Sequence, residues 1–542
     1  MKVLVLGGVA AGTKVAAKLL REDRSCEVMV LTKGRDISYA GCGLPYYVGG
    51  VIHDKGELIV NTPEKFAALT GAEVRTETEA VAVHPDRHTV EARDLKTGET
   101  AEYGYDKLVI ATGASPFVPP IDGLDLKNVF VMRTPDDAIA LRAAVEAGEI
   151  KRAVVAGGGF IGLEVAENLA AKGVRTTVID FAPHVLPNFL DPELSEYVEN
   201  RMADEGVMPL TGVALEGVEG NGRVEKVLTS KRGLKADALV LAIGIRPNTG
   251  FLEGSGIEMF KGTILTDRYL RTNVPDIYAA GDCAMVANRQ TGKPAWSPMG
   301  STANIAGRIL AKDMAGKEIA YPGVLGTGVA KLPGGLSTGR TGLTETAARA
   351  EGYDVETVVA VVDDKAHYYP DSGLFIIKLT ADKATRKLLG VQVLGTGAVD
   401  KITDIGVTAI SLGASVDQLA SMDFAYAPPF STAIHPFAHS VNILMNKLDG
   451  ELETFTPAEY AGGAAEDYEI IDCAVSPALP GKRYLDLTGI GGEVPGLAKD
   501  AKLLLVCTKG RRAYLTQNRL KYYGYTNTRV LEGGTTFTEI EE

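Results

Sequence analysis

The chain has 542 residues, 45% hydrophobic and 23% charged, with 56 basic against 69 acidic side chains and a net charge of −13. At roughly 100–200 residues per domain, this length predicts three or four domains. An acidic balance without like-charge blocks argues against a nucleic-acid-coating surface, and no apolar run approaches the roughly 18–20 residues that cross a bilayer.

The apolar start is broken by Gly7, Gly8 and Gly12 and followed by Lys14 and Lys18. It therefore reads as a first strand and turn rather than a secretory signal, and a cytoplasmic protein is expected. Lys2–Leu6 is the strand, Gly7–Gly12 the turn, Gly12–Arg21 a helix and Glu27–Thr32 the next strand. The same plan returns at Arg152–Ala156, Gly157–Gly162, Leu163–Lys172 and Thr176–Asp180. Two such units predict an α/β chain with two Rossmann-like nucleotide-binding domains.

From about Tyr321 the texture changes. Val355–Val362, Gly373–Leu379 and Leu388–Leu394 read as antiparallel strands, and Asp400–Leu412 and Thr432–Leu448 as helices, giving an α+β domain. Glu451–Glu466 reads as a linker. A compact α/β piece follows, with strands near Glu469–Asp472 and Lys502–Val506 and a helix near Arg512–Tyr523. It is short for a domain and is expected to dock on the rest of the chain or on a partner subunit.

The second turn, Gly157-Gly158-Gly159-Phe160-Ile161-Gly162, matches GxGxxG in full. Between strand and helix, such a turn aims free amides and a helix N-terminus at a pyrophosphate. Asp180 ends the next strand, where a carboxylate accepts hydrogen bonds from a ribose 2′-OH and repels a 2′-phosphate. NADH is therefore expected rather than NADPH, with Arg175 and His184 the nearby cations that would favour the latter. The first turn, Gly7-Gly8-Val9-Ala10-Ala11-Gly12, keeps the outer glycines but has Val9 at the middle position. Thr32-Lys33 stands where a ribose-binding acid is usual, so ribose contact is expected from a hydroxyl or a neighbouring chain.

Two further segments identify a class. Leu108–Gly113, with Ala111-Thr112-Gly113, precedes the second nucleotide unit; Thr272–Asp282, ending Gly281-Asp282, follows it. The pairing resembles the flavoprotein disulfide reductases over residues 1–448. The resemblance implies an FAD domain at 1–113 and 245–320, an inserted NADH domain at 114–244 and a dimerisation domain at 321–450 of a homodimer. It also implies Asp282 as the flavin ribitol ligand and Gly244 in the cofactor site. The linker then spans 451–466 and the last module 467–542.

The five cysteines, Cys26, Cys42, Cys283, Cys473 and Cys507, show no CxxC or metal-ligand spacing. No disulfide framework and no metal site is expected, but one or two reactive thiols are. Cys42, in Ser38-Tyr39-Ala40-Gly41-Cys42-Gly43-Leu44-Pro45, stands just before a predicted helix, whose N-terminus should shift its thiol toward thiolate. Dithiol reductases carry a second cysteine close by, and none occurs here. The spacing of Ser38 and Cys42 resembles instead the single-cysteine branch: coenzyme A-disulfide reductases, NADH-dependent persulfide reductases, and NADH oxidases and peroxidases. That branch implies a persulfide, polysulfide or coenzyme A disulfide substrate, with Ser38 and Gly41 beside it.

Lys14, Lys18 and Arg21 fall on one helical face, where three like charges must be solvated or meet an anion. In coenzyme A-disulfide reductases this helix contacts the coenzyme's phosphates, so coenzyme A is an expected ligand. Tyr368 and Tyr426 resemble tyrosines that reach the partner's cysteine and protonate a leaving thiolate. His435-Pro436 is similar to the His-Pro of dithiol reductases; His435 is open to a role as a second acid or as a capping core histidine.

Finally, Cys507-Thr508-Lys509-Gly510-Arg511-Arg512 resembles the Cys-x-x-Gly-x-Arg loop of rhodaneses, whose amides cradle a persulfide. Asp472 is expected to brace the loop through Arg512. Cys473 departs from that pattern, standing where an arginine usually follows. The combined expectation is an NADH- and FAD-dependent reductase acting on sulfur through Cys42. Its rivals are an NADH oxidase or peroxidase using Cys42 sulfenic acid, and a slow redox sensor or sulfur carrier.

Overall fold

Lys2–Leu6 is apolar from Val3 onward because it becomes a central strand, covered on both faces there. In the computed structural model, which describes residues 1–540, it pairs in parallel with Glu27–Leu31 on one side and Lys107–Ile110 on the other. Ile277–Ala279 and Glu73–Arg75 complete a five-stranded parallel sheet. Its strands come from both sides of the second nucleotide unit, as a discontinuous domain requires.

The second parallel sheet runs Met208–Leu210, Arg175–Ile179, Arg152–Ala156, Ala238–Leu241 and Val129–Val131. The helices that follow the two glycine turns span Ala10–Glu22 and Phe160–Ala171. Each begins two or three residues before the predicted start, because the turn residues themselves adopt helical backbone.

The chain divides into two units, 1–185 with 202–325, and 186–201 with everything from Gly326 onward. In the second unit, Gly328–Lys331, Ser337–Gly342, Leu388–Gly395, Leu374–Asp382 and Val355–Asp363 form an antiparallel sheet. Helices Val399–Leu412 and Pro436–Leu448 pack against it. The second starts four residues later than predicted, because Pro436 occupies the first turn and His435 caps it.

Buried Lys378 in this unit pairs with Asp191, Glu193 and Glu345. These three carboxylates lie close enough to hold a cation, and the lysine ammonium is that cation.

The segment 451–466 is not a bare linker. Thr454–Phe455 forms an edge strand of the last sheet, and Pro457–Ala461 is a helix with a Thr456–Glu459 capping box. That sheet is wholly parallel, in the order Thr454–Phe455, Thr528–Leu531, Leu503–Val506, Glu469–Asp472 and Arg483–Tyr484. The module docks on the antiparallel sheet through buried Glu532. Its carboxylate accepts from Val359 N–H at 2.7 Å and Thr454 hydroxyl at 2.6 Å, and pairs with Lys447 at 2.8 Å. Among the described residues no helix is long and apolar enough to cross a membrane.

Candidate active site

The first and last glycines of both turns sit where sterics admit no other residue. Gly7 has φ +117°, and a Cβ there would lie 2.0 Å from the Ala111 carbonyl oxygen. Gly157, at φ +112°, would meet Ala242 O at 2.2 Å. Gly12 and Gly162 press against the carbonyls of Gly7 and Gly157, at 1.9 and 1.8 Å from an added Cβ. Gly8 packs on Thr32 and Ile37.

The middle positions differ in kind. Gly159 (φ −83°) and Val9 (φ −111°) both have negative φ, so neither position demands glycine for a left-handed backbone. An added Cβ at Gly159 meets nothing within 4 Å, leaving open space where a ligand backbone can approach. Neither N-cap residue, Val9 or Gly159, makes a side-chain cap hydrogen bond to its helix. Two tight turns, open approach and uncapped N-termini fit the pyrophosphates of FAD and of NADH.

Around the first turn, Thr112 and Asn248 exchange side-chain and backbone hydrogen bonds at 2.7 and 3.0 Å, fixing the Ala111–Gly113 segment. Gly113 and Gly281 both have positive φ, and Gly281 lies against Ala11. Asp282 is set 3.5 Å from Arg133. Arg133 also carries charge toward Tyr39 and Cys42, and it belongs to no motif read from the sequence. Lys33 is mostly exposed and pairs with Glu79 at 2.8 Å, whereas Thr32 is buried against the turn.

Asp180 stands at the second turn as expected. Its two oxygens accept from Gly158 N–H at 2.6 Å and Ala182 N–H at 2.7 Å, so the carboxylate is held in one orientation. Gly244, at φ +125°, lies just beyond the strand Ala238–Leu241, with open space beside it.

Cys42 is exposed, in a short 3₁₀ turn (Gly41–Gly43) leading into the helix Leu44–Val48. Ser38 precedes it with φ +47°. The Leu44–Val48 helix packs on the second nucleotide helix so closely that an added Cβ at Gly49 would meet Asn168 Oδ1 at 1.9 Å. This contact brings Glu164 to the thiol. Tyr46 hydroxyl donates to Glu164 at 2.9 Å, and burial pushes the Glu164 carboxyl up to about 7.

The expected shift toward thiolate is overturned. Burial of its inner side, together with Glu164 and Asp282, raises the Cys42 thiol, and Arg133 only opposes this. A five-residue helix behind the thiol is too short to outweigh burial and two nearby acids.

On the first helix, Lys18 is already paired with Glu22, which Lys317 also reaches. Lys14 packs its stem against Gly307, and Arg21 is exposed. The basic face is thus partly neutralised from within.

In the second unit, Tyr368 and Tyr426 meet through their hydroxyls at 3.4 Å, both exposed. Of the two roles open to His435, the structure shows the cap: its Nδ1 accepts from Phe437 N–H at 3.2 Å. Burial, with Lys401 nearby, pushes its pKa down to about 4, so it carries no extra proton at neutral pH.

Cys507 is buried at the end of its strand, with Ala513 N–H donating to its sulfur at 3.4 Å. The expected Asp472–Arg512 brace is absent. Asp472 spends its oxygens on the backbone N–H groups of Ala474, Ala478 and Leu479, and Arg512 reaches Asp486 and the Cys473 carbonyl instead.

Residues 1–303 match the family model described as pyridine nucleotide-disulphide oxidoreductase, and residues 335–438 match its dimerisation domain. An NADH oxidase from Methanocaldococcus jannaschii is 34% identical over 451 residues, covering 83% of this chain and 100% of that protein. An NAD(P)H coenzyme A polysulfide/persulfide reductase from Pyrococcus horikoshii is 36% identical over 444 residues, 82% of this chain and 98% of its own. The solved structure of an NAD-dependent persulfide reductase from A. fulgidus superposes with a TM-score of 0.94 at 34% identity, covering 99% of this chain and 100% of that one.

Proposed function

Within the pyridine nucleotide-disulphide oxidoreductase family, to which the chain belongs, we propose that it uses NADH to reduce persulfide, polysulfide or coenzyme A disulfide through Cys42. Bound at the two turns, FAD and NADH supply the hydride and two-electron chemistry. The residues of the chain hold, orient and exchange sulfur. The amides of Gly7–Gly12 and Gly157–Gly162 bind the pyrophosphates, Asp282 the flavin ribitol and Asp180 the NADH ribose. Cys42, as thiolate, attacks the S–S bond of the substrate, forms a mixed disulfide and releases thiol or sulfide. Tyr368 and Tyr426 are proton donors to the departing sulfur, a role the resemblance implies across a homodimer. Lys14 and Arg21 are the cations left for coenzyme A phosphates.

The observation that supports the sulfur reading over the oxidase one is the likeness to a persulfide reductase over 99% of the chain, the Cys507 module included. The NADH oxidase and the polysulfide/persulfide reductase compared by sequence both stop short of that module, at 83% and 82% of the chain. We read the Cys507 module as rhodanese-like, supported by its parallel sheet and by the helix N-terminus at the thiol. A cytoplasmic setting accords with five cysteines left as thiols.

Cys42→Ser tests the assignment. It should retain flavin and its reduction by NADH while turnover with polysulfide or coenzyme A disulfide falls at least 100-fold, because serine forms no mixed disulfide. Wild-type turnover in this variant would move the chemistry elsewhere.

A further inference from the structure

Two of the five cysteines lie side by side. Strands Glu469–Asp472 and Leu503–Val506 are parallel, with Asp472 opposite Val506, and Cys473 N–H continues the ladder to Val506 O at 2.7 Å. Cys473 and Cys507 are therefore the next opposed pair. They share one face of the sheet, in the same apolar cluster as Ile471, Leu503 and Leu505, while Ile470, Leu504 and Val506 point to the other side. Opposed residues on neighbouring strands stand about 4.8 Å apart, within the Cα separation that a disulfide spans. Both thiols are free.

A second observation singles out Cys473. Thr516, fully buried on the helix Arg511–Tyr522, has a hydroxyl with no hydrogen-bond partner in the thiol state. It faces Cys473, to whose thiolate it would donate. A buried hydroxyl left unsatisfied costs stability, and this one gains its partner only when Cys473 ionises.

The geometry points to Cys473 as the resolving thiol of Cys507. When Cys507 carries a sulfane sulfur taken from a persulfide or polysulfide, the Cys473 thiolate attacks Cys507 Sγ. The Sγ–S bond to the outer sulfur breaks, a Cys473–Cys507 disulfide forms, and the outer sulfur leaves with the electron pair as hydrosulfide. The sulfane sulfur is reduced and the two thiols are oxidised; an external dithiol then restores them. This sulfide-releasing step rests on the reading of the module as a sulfur acceptor, whereas the thiol pair does not. Burial pushes the Cys473 thiol up to about 12. Sulfide release is accordingly slow at neutral pH and speeds about tenfold per pH unit from 7 to 9.

The test treats the reduced full-length holoenzyme, without NADH, with inorganic polysulfide in one arm and diamide in the other. Peptides are then mapped by mass without reduction. In both arms a peptide pair joined at 473 and 507 is expected. In Cys473→Ala, Cys507 should instead hold one extra sulfur for at least ten times longer than in the wild-type chain. Failure of diamide to join the two peptides in the wild type overturns the thiol pair without any substitution. Bridging by diamide with no sulfur ever found on Cys507 in Cys473→Ala overturns the sulfide step, and with it the sulfur-acceptor reading. A stable Cys507 persulfide beside an alkylatable Cys473 in the wild type overturns the resolving role.

Discussion

Adding a single methyl group at two nearby positions of the NADH turn should separate folding from binding. At Gly157 the added Cβ meets backbone, Ala242 O at 2.2 Å, and the residue sits at φ +112°. Backbone strain alone costs an L-residue about 1–3 kcal/mol. With displacement of the strand Ala238–Leu241, the loss should reach about 2–4 kcal/mol, or roughly 4–15 °C in Tm for a domain of this size. At Gly159 the backbone is ordinary and nothing lies within 4 Å, so alanine there should cost the fold less than about 1 kcal/mol. Its methyl instead occupies the approach of the pyrophosphate, and KM for NADH should rise about tenfold, or ~1.4 kcal/mol. Thermal melts and steady-state kinetics at fixed flavin content read the two effects. Equal Tm losses in both variants, or an unchanged KM in Gly159→Ala, would refute the reasoning.

Asp180→Ala removes both the repulsion of a 2′-phosphate and the acceptor of two backbone amides. The ratio of kcat/KM for NADH over NADPH should narrow at least tenfold in stopped-flow flavin reduction; a ratio unchanged within error would remove Asp180 from selectivity. Glu164 has a raised carboxyl, so the native state holds its proton more tightly than the unfolded chain. Stability should then fall as pH rises from about 4.5 to about 7, by at most about 3 kcal/mol before solvent screening. Glu164→Gln should flatten that part of the urea-midpoint profile, and a slope identical to wild type would sink the assignment. Lys14→Ala and Arg21→Ala should each raise KM for coenzyme A disulfide roughly threefold to tenfold while sparing polysulfide. Lys18→Ala should do less, its charge being held by Glu22. Equal KM in all three variants would leave the face merely solvated.

The nucleotide folds were legible because their determinants are local. A glycine at positive φ, an apolar strand before it and an uncapped helix after it lie within a dozen residues of one another. The capping box at Thr456 and Glu459 was equally local and would have rescued the segment 451–466 from its reading as a linker. What was not legible depended on partners far apart in sequence. Helix position predicted a lowered Cys42 thiol, but burial reverses it, helped by Glu164 and Asp282, each more than 100 residues away. The likeness to a rhodanese loop suggested Asp472 for Arg512, yet Asp472 is consumed by three amides of its own following loop. Arg133 escaped notice because nothing in its neighbourhood marks it; only its 3.5 Å approach to Asp282 does.

The two thiol sites follow different rules for where their electrons come from. Cys42 is exposed and has no cysteine opposite it, and its own surroundings disfavour the thiolate. On the proposed function a lone thiol suffices there, because bound flavin would give its mixed disulfide a source of electrons that is not another cysteine. Cys507 stands in a sheet without a nucleotide turn, and a sulfur bound to it has no such source. A second sulfur within bonding reach can supply the pair, and the register places Cys473 there. The departure from the rhodanese pattern at Cys473 is therefore where the module's chemistry should differ from simple sulfur transfer: it should release sulfide, not hand the sulfur on intact.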